Sequence, residues 1–526
     1  MKKILIIVFI GFLTYFPSLF NGFVWDDEVT FQQASSILGN IYFRPVTSFI
    51  QSIFYNIFGL QPFFYHFFQL IIHIATAILI FYLFKRFFKE TISFFLALIF
   101  LVHPANVEAV SFASAMQEVA FTLTGITGLY LFVNTEERMD PRLRGDDVYV
   151  KVFFATLLLL IALLMKETAI VFFVLVFCYL VLYKRKQNNV LISYSIFAVI
   201  LLMVYLLVRF SSGNLYVQGQ GLFPIMRVSL ATRLINIPMI ILYYLGKFFY
   251  PMNLTIAQHW VVKVVDFRNF WLPLLVDGGF FILLISAYMF VSSPRKRGSS
   301  FSLDSRLHGN DFIFFFLWFL IGLLPHLQII PLNMTVAERW LYFPMIGLLG
   351  MIGVVLSSPR RRGSRLLISL GIIIILLFSI RSFIRTLDWR NGLALFGHDI
   401  KKTSSFDLQN NLGTELFRVG RYDEAKKYFE ISTKLAPHWW VNWNNLGAIY
   451  EWEKNYPKAI EYYQKSINNG QYYLAYENLA KILVFHGNDQ KKTEEFLEKS
   501  LELFPKDENL QQIQAYYQQK ISHPQP

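Results

Sequence analysis

Cysteine is all but missing from this chain: its 526 residues hold one, Cys178, inside an apolar run. A single thiol excludes an intrachain disulfide and any cysteine-rich metal centre, and its apolar surroundings make it a packing residue. Charge is scarce as well. Asp, Glu, Lys and Arg make up 16% of the residues against 55% hydrophobic ones, and mean hydropathy is +0.44, which excludes an intrinsically disordered chain. Acids are the rarer sign, 35 against 48 Lys and Arg, for a net charge of +13. Much of that excess lies in short loops between apolar runs, where Lys and Arg record membrane topology rather than a nucleic-acid-binding face, so no nucleic acid partner is expected. The first twenty residues open with Lys2-Lys3 and an apolar core but lack a small-residue cleavage site, since Tyr15-Phe16-Pro17-Ser18-Leu19-Phe20 is bulky. They read as a retained span with a cytoplasmic N-terminus.

What the chain has in abundance is apolar length. Runs of 15 to 20 residues recur to about residue 386, and 55 Phe suit lipid-facing surfaces and interfacial belts. Apolar length and Lys/Arg clusters give eleven spans, at about 4–20, 62–84, 91–102, 115–133, 152–165, 168–183, 190–208, 270–291, 312–330, 341–356 and 366–384. Segment 235–250 is apolar but short; were it to cross, Arg295-Lys296-Arg297 would face outward, so it is assigned to the interface or a re-entrant element. Two loop sequences are echoed. Met139-Asp140-Pro141-Arg142-Leu143-Arg144-Gly145 returns as Leu303-Asp304-Ser305-Arg306-Leu307-His308-Gly309, and Ser292-Ser293-Pro294-Arg295-Lys296-Arg297-Gly298-Ser299 as Ser357-Ser358-Pro359-Arg360-Arg361-Arg362-Gly363-Ser364. They read as mobile palindromic elements translated within a bacterial coding sequence, in cytoplasmic loops that tolerate extra chain; a basic patch for anionic membrane lipid is the rival reading.

From about Ser404 the pattern changes. Leu412-Gly413, Ala425 and Phe429 recur 34 residues on as Leu446-Gly447, Ala459 and Tyr463, and Ser432, Ser466 and Ser500 keep the step. That is the tetratricopeptide (TPR) period, in which small residues let paired helices approach closely. Repeats are placed at about 406–439, 440–473 and, degenerate, 474–507. The expected fold is all-α: a polytopic membrane bundle over 1–390, then a short TPR solenoid over 391–526 that binds a peptide or protein partner.

The chemistry gathers at one predicted face. Phe23-Val24-Trp25-Asp26-Asp27-Glu28 follows the first span, and three adjacent carboxylates where a chain leaves a membrane are costly unless water, a cation or a substrate meets them. The same face collects Arg44, His103, Glu108, Gln117-Glu118, Lys166-Glu167, Arg209, Arg233, His259 and Glu338-Arg339. Any one of these is ordinarily a helix cap or an interfacial snorkel, and the acidic corner a solvated loop. Together they suit an anionic, lipid-borne donor: cations hold phosphate, while a carboxylate deprotonates an incoming hydroxyl or, as Asp26, Asp27 and Glu28, holds a divalent cation such as Mg²⁺ or Mn²⁺.

In order along the chain, Phe23-Val24-Trp25-Asp26-Asp27, Arg44-Pro45-Val46-Thr47, His103-Pro104-Ala105-Asn106-Val107-Glu108, Lys166-Glu167-Thr168 and Ala337-Glu338-Arg339-Trp340-Leu341-Tyr342 precede Asp388-Trp389-Arg390-Asn391 and the repeats. This series resembles the transmembrane-and-tetratricopeptide-repeat protein O-mannosyltransferases and their bacterial relatives, and covers almost the whole chain. The resemblance implies a GT-C glycosyltransferase that moves a sugar, by family default mannose, from a polyprenyl-phosphate donor to a hydroxyl on a protein or glycan acceptor, outside a bacterial inner membrane, inverting the anomeric centre. It implies Asp27 or Asp26 as general base, with Asp27 preferred, and Lys166, Arg339 and Arg44 as the groups that neutralise the leaving phosphate. His103, Glu108, Glu167 and Glu338 are assigned to acceptor or loop shaping. Two readings compete: a non-catalytic membrane anchor presenting repeats for envelope assembly, and a transporter, against which the charges sit at one face rather than at the midplane.

Overall fold

The computed structural model describes residues 1–33, 43–134, 145–184, 188–212, 223–256, 258–292, 303–357 and 365–522. Arg138, Arg142, Arg144, Arg185, Lys186 and most of the two echoed loops lie outside these residues. The described residues are helical, with no strand beyond an isolated bridge between Gln258 and Val336. They form two units, 1–395 and 396–526.

The first unit is a helix bundle. Its helices are α1 (Lys2–Tyr15), α2 (Asp27–Gln33), α3 (Pro45–Phe58), α4 (Pro62–Phe84), α5 (Glu90–Val102), α6 (Val107–Ser111), α7 (Met116–Val133) and α8 (Gly145–Met165). Then follow α9 (Ile170–Tyr183), α10 (Asn188–Ser211), α11 (Leu230–Phe249), α12 (Leu272–Ser292), α13 (Leu303–Leu323), α14 (Pro344–Ser357) and α15 (Arg365–Asp388). Among the described residues eight helical stretches are long and apolar enough to cross a membrane: Lys2–Phe20, Pro62–Phe84, Ala113–Val133, Val148–Met165, Asn188–Ser211, Phe267–Ser292, Gly309–His326 and Leu366–Asp388. This is a multi-pass membrane protein.

Three of the eleven expected spans are short. Helices α5, α9 and α14 have 13, 14 and 14 residues, a rise of about 20 Å against a hydrocarbon core of about 30 Å. Helix α5 ends for a local reason. Pro104 disfavours helical backbone at His103, which is extended (φ −67°, ψ 125°), and the chain bends by 49° into Pro104–Ser111. Segment 235–250 is most of α11, a helix with Pro238 inside it that is not one of the eight.

Close helix contact replaces hydrophobic driving force inside a bilayer, and it needs small residues. A Cβ at Gly125 of α7 would sit 2.1 Å from the Phe172 ring of α9. Two contacts fix the ends of the bundle. Lys3 Nζ meets Glu90 Oε1 at 3.1 Å, so α1 and α5 start at the same end. At the other end Gly22 N–H donates to Arg390 O (3.0 Å), tying the chain after α1 to the chain after α15.

Helix α16 (Gly392–Asp399) runs across the boundary, and in the second unit the helix pairs are α17 (Phe406–Arg418) with α18 (Tyr422–Leu435), α19 (Trp440–Trp452) with α20 (Tyr456–Asn469), and α21 (Tyr473–His486) with α22 (Gln490–Leu503), closed by α23 (Glu508–Ser522). Cβ atoms at Gly413 and Gly447 would lie 2.7 Å from the rings of Phe429 and Tyr463, which explains the small residue at each. Ser432 Oγ and Ser466 Oγ donate to Phe406 O and Trp440 O, the same bond one period apart, whereas Ser500 Oγ bonds Phe496 O of its own helix. The third repeat thus keeps the helix pair but not the inter-helix staple.

Candidate active site at one end of the bundle

The acidic corner turns on Trp25. Its φ of +59° is a conformation non-glycine residues rarely hold, and its indole stacks on the Phe112 ring at 5.6 Å. The turn sends the two aspartates into different surroundings. Asp27 is fully buried, and both its oxygens are engaged: Oδ2 accepts from Val24 N–H (3.0 Å) and Oδ1 from Ser114 N–H (2.6 Å). Burial pushes its carboxyl up to about 7, with those hydrogen bonds opposing. Asp26 is exposed, yet enough protein surrounds it to raise its carboxyl, against which its backbone hydrogen bond and the charge of Arg339 act. Glu28, on the first turn of α2, is exposed.

The predicted cations arrive from distant elements, each with a carboxylate. Glu108 of α6 holds Arg339 twice, accepting its backbone N–H at 3.0 Å and pairing with its guanidinium. That guanidinium lies over the Phe112 ring, 5.7 Å from its centre, so Trp25 and Arg339 share one aromatic neighbour. Lys166, at the end of α8, pairs with Glu118 on the first turn of α7, both nearly buried. Burial lowers the Lys166 ammonium, Glu118 opposes, and Arg44 and Arg339 are close enough to lower it further. Arg44 Nε donates to Glu167 Oε2 at 3.0 Å. The adjacent Lys166 and Glu167 thus serve different partners.

Glu338 and His103 brace this layer. Glu338 Oε1 accepts Thr255 N–H (2.7 Å) and lies 3.3 Å from Lys247 Nζ of α11; burial pushes its carboxyl up to about 7, with Lys247 opposing. His103 accepts Ala105 N–H at Nδ1 (3.2 Å), capping the turn after α5, and its Nε2 meets Phe248 O at 3.1 Å. Both ring nitrogens are therefore used in shaping loops. Asp26, Asp27 and Glu28 do not converge on a cation: among the described residues no cluster of three or more His, Cys, Asp or Glu is placed to hold a metal, and backbone amides already occupy Asp27.

Sequence reasoning missed Lys247 and the pairing role of Glu118. A lone cation late in an apolar helix and a lone carboxylate entering one were the only signals. Arg233, also on that face, bonds the backbone oxygens of Val228 and Gln328. What the assembled site offers is an accessible carboxylate beside a layer of cations, at the end of the bundle away from Lys3 and Glu90.

Comparison with known proteins follows this geometry. Residues 44–209 match the family described as dolichyl-phosphate-mannose-protein mannosyltransferase, and residues 406–438 and 442–469 each match a tetratricopeptide repeat. The chain is 23% identical to Protein O-mannosyl-transferase TMTC3 of Homo sapiens over 86% of this chain and 53% of that protein. It is 22% identical to Protein O-mannosyl-transferase F38B6.6 of Caenorhabditis elegans over 83% of this chain and 63% of that one. It therefore spans less than two thirds of the length of these relatives. Among solved structures, ArnT from Cupriavidus metallidurans bound to undecaprenyl phosphate is 13% identical, with a TM-score of 0.40 over 91% of this chain and 79% of the other.

Proposed function

We propose that this chain, a homologue of the transmembrane-and-tetratricopeptide-repeat O-mannosyltransferases, is a membrane glycosyltransferase that moves a sugar, by family default mannose, from a polyprenyl-phosphate donor to a protein hydroxyl. The site faces the non-cytoplasmic side of a bacterial inner membrane, with the TPR unit on that side holding a protein partner. In one displacement the acceptor oxygen attacks the anomeric carbon, its proton passes to Asp26, and the bond to phosphate breaks with inversion. Lys166, Arg339 and Arg44 neutralise the charge that collects on the departing polyprenyl phosphate. Asp27 is a positioning residue: its two backbone bonds tie the acidic loop to Ser114 and hold Asp26 toward Arg339. Both aspartates match the acidic pair of the family, and exposure moves the preference between them from Asp27 to Asp26.

The observation that carries this reading is the exposed Asp26 carboxylate within electrostatic reach of Arg339. The test is transfer from radiolabelled polyprenyl-phosphate mannose to membrane protein, with expression matched. Asp26→Asn is expected to cut kcat at least about a hundredfold with little change in donor KM. Asp27→Asn lowers the rate in part and shifts the pH profile. Full activity of Asp26→Asn alongside an inactive Asp27→Asn would reverse the two roles, and full activity of both would reject the mechanism.

A further inference from the structure

Glu118 sits among the cations assigned above to the donor phosphate. It pairs with Lys166 and also acts electrostatically on Arg339, so one carboxylate is shared by two of the cations assigned to the donor phosphate. Beside it is a small cavity that it lines together with Thr168, His326 and Trp340. Two polar atoms of that lining, Thr168 Oγ1 and His326 Nδ1, are buried and have no hydrogen-bond partner among the described residues. Buried polar groups left unpaired are costly and rare. His326 stacks flat on Trp340 at 4.9 Å, which fixes its ring.

We propose that Glu118 is a displaceable counter-ion: it occupies the phosphate position between Lys166 and Arg339 in the free enzyme, and donor binding moves its carboxyl into the cavity, toward Thr168 and His326. This rests on the assignment of Lys166 and Arg339 to the phosphate. The arrangement answers two needs at once. A buried ammonium without a partner is strongly disfavoured, so an internal anion keeps Lys166 charged before the donor arrives. That same anion must be removed without stranding it in an apolar wall, and a hydroxyl and a ring nitrogen stand ready to receive it. Occupancy by an internal competitor weakens donor affinity, which favours release of the spent polyprenyl phosphate after transfer.

Titration of the full-length protein in detergent with farnesyl phosphate tests this. Glu118→Gln, nearly isosteric and without the competing charge, is expected to bind at least about tenfold tighter than the native protein. The double variant Thr168→Val/His326→Phe, which removes the receiving groups, is expected to bind several-fold weaker, and Lys166→Met to lose binding. Opposite shifts from two sets of neighbours are not what a merely structural role produces. Unchanged or weaker binding by Glu118→Gln, with Lys166→Met still unable to bind, would overturn the counter-ion role and leave the phosphate assignment intact. Undiminished binding by both Lys166→Met and Arg339→Met would overturn both. Should Glu118→Gln fail to fold, native affinity in the double variant is sufficient to reject the proposal.

Discussion

Asp27 carries a pH dependence of its own. Its carboxyl is raised from 3.8 to about 7 in the folded protein, so between those values the native state holds a proton that the unfolded chain has lost. Below the lower value both states are protonated and burial of the group costs nothing extra. As pH rises the native state is penalised, and the penalty is complete above about 7. The expected outcome is that melting temperature of the native protein, measured against Asp27→Asn in the same detergent, falls across pH 4 to 7; the difference is at most about 4 kcal/mol. A flat difference would mean that the loop opens and the carboxylate is solvated. The sequence marked both aspartates, and the family resemblance preferred Asp27; nothing local in the sequence shows how their surroundings differ, because Asp27 is held by the Ser114 amide, 87 positions away. Pairings show the same limit. Lys166 was legible as a cation at a span end, but its neighbour in sequence is Glu167 and its partner in space is Glu118.

Elements were more legible than contacts, because hydropathy and period are local properties. The 62–84 span coincides with α4, and the 34-residue period reappears as three helix pairs. Helices α5, α9 and α14 show where local reading fell short: their apolar runs count as spans, but their helices stop at 13 or 14 residues, beside turns that carry site groups. His103, Lys166 with Glu167, and Glu338 with Arg339 all lie in such turns, just outside the short helices that follow or precede them. In the repeats, glycine at 413 is a packing requirement, so Gly413→Leu forces the Phe429 ring and the α17–α18 pair apart. It is expected to destabilise the repeat unit by about 1–3 kcal/mol, seen as faster amide hydrogen exchange in 406–435 with exchange in α4 unchanged. Equal protection of native and variant repeats would show that the ring simply rotates away.

In the membrane unit one end of the bundle carries a layer of paired charge. Five carboxylates (Asp26, Glu108, Glu118, Glu167, Glu338) and four cations (Arg44, Lys166, Lys247, Arg339) from separate parts of the chain are linked at the end of the bundle where α1 finishes and α7 begins. Four ion pairs, Arg44–Glu167, Lys166–Glu118, Lys247–Glu338 and Arg339–Glu108, let those side chains leave water in the free protein, and they make the layer a place where one anion can exchange for another. The most direct measurement of that claim is a structure of the full chain with a polyprenyl phosphate bound. The account predicts phosphate density between Lys166 and Arg339, with the Glu118 carboxyl turned toward Thr168 and the Asp26 carboxylate facing the phosphate. Phosphate held at the opposite end of the bundle, near Lys3 and Glu90, or bound with both cations still paired to their carboxylates, would contradict it.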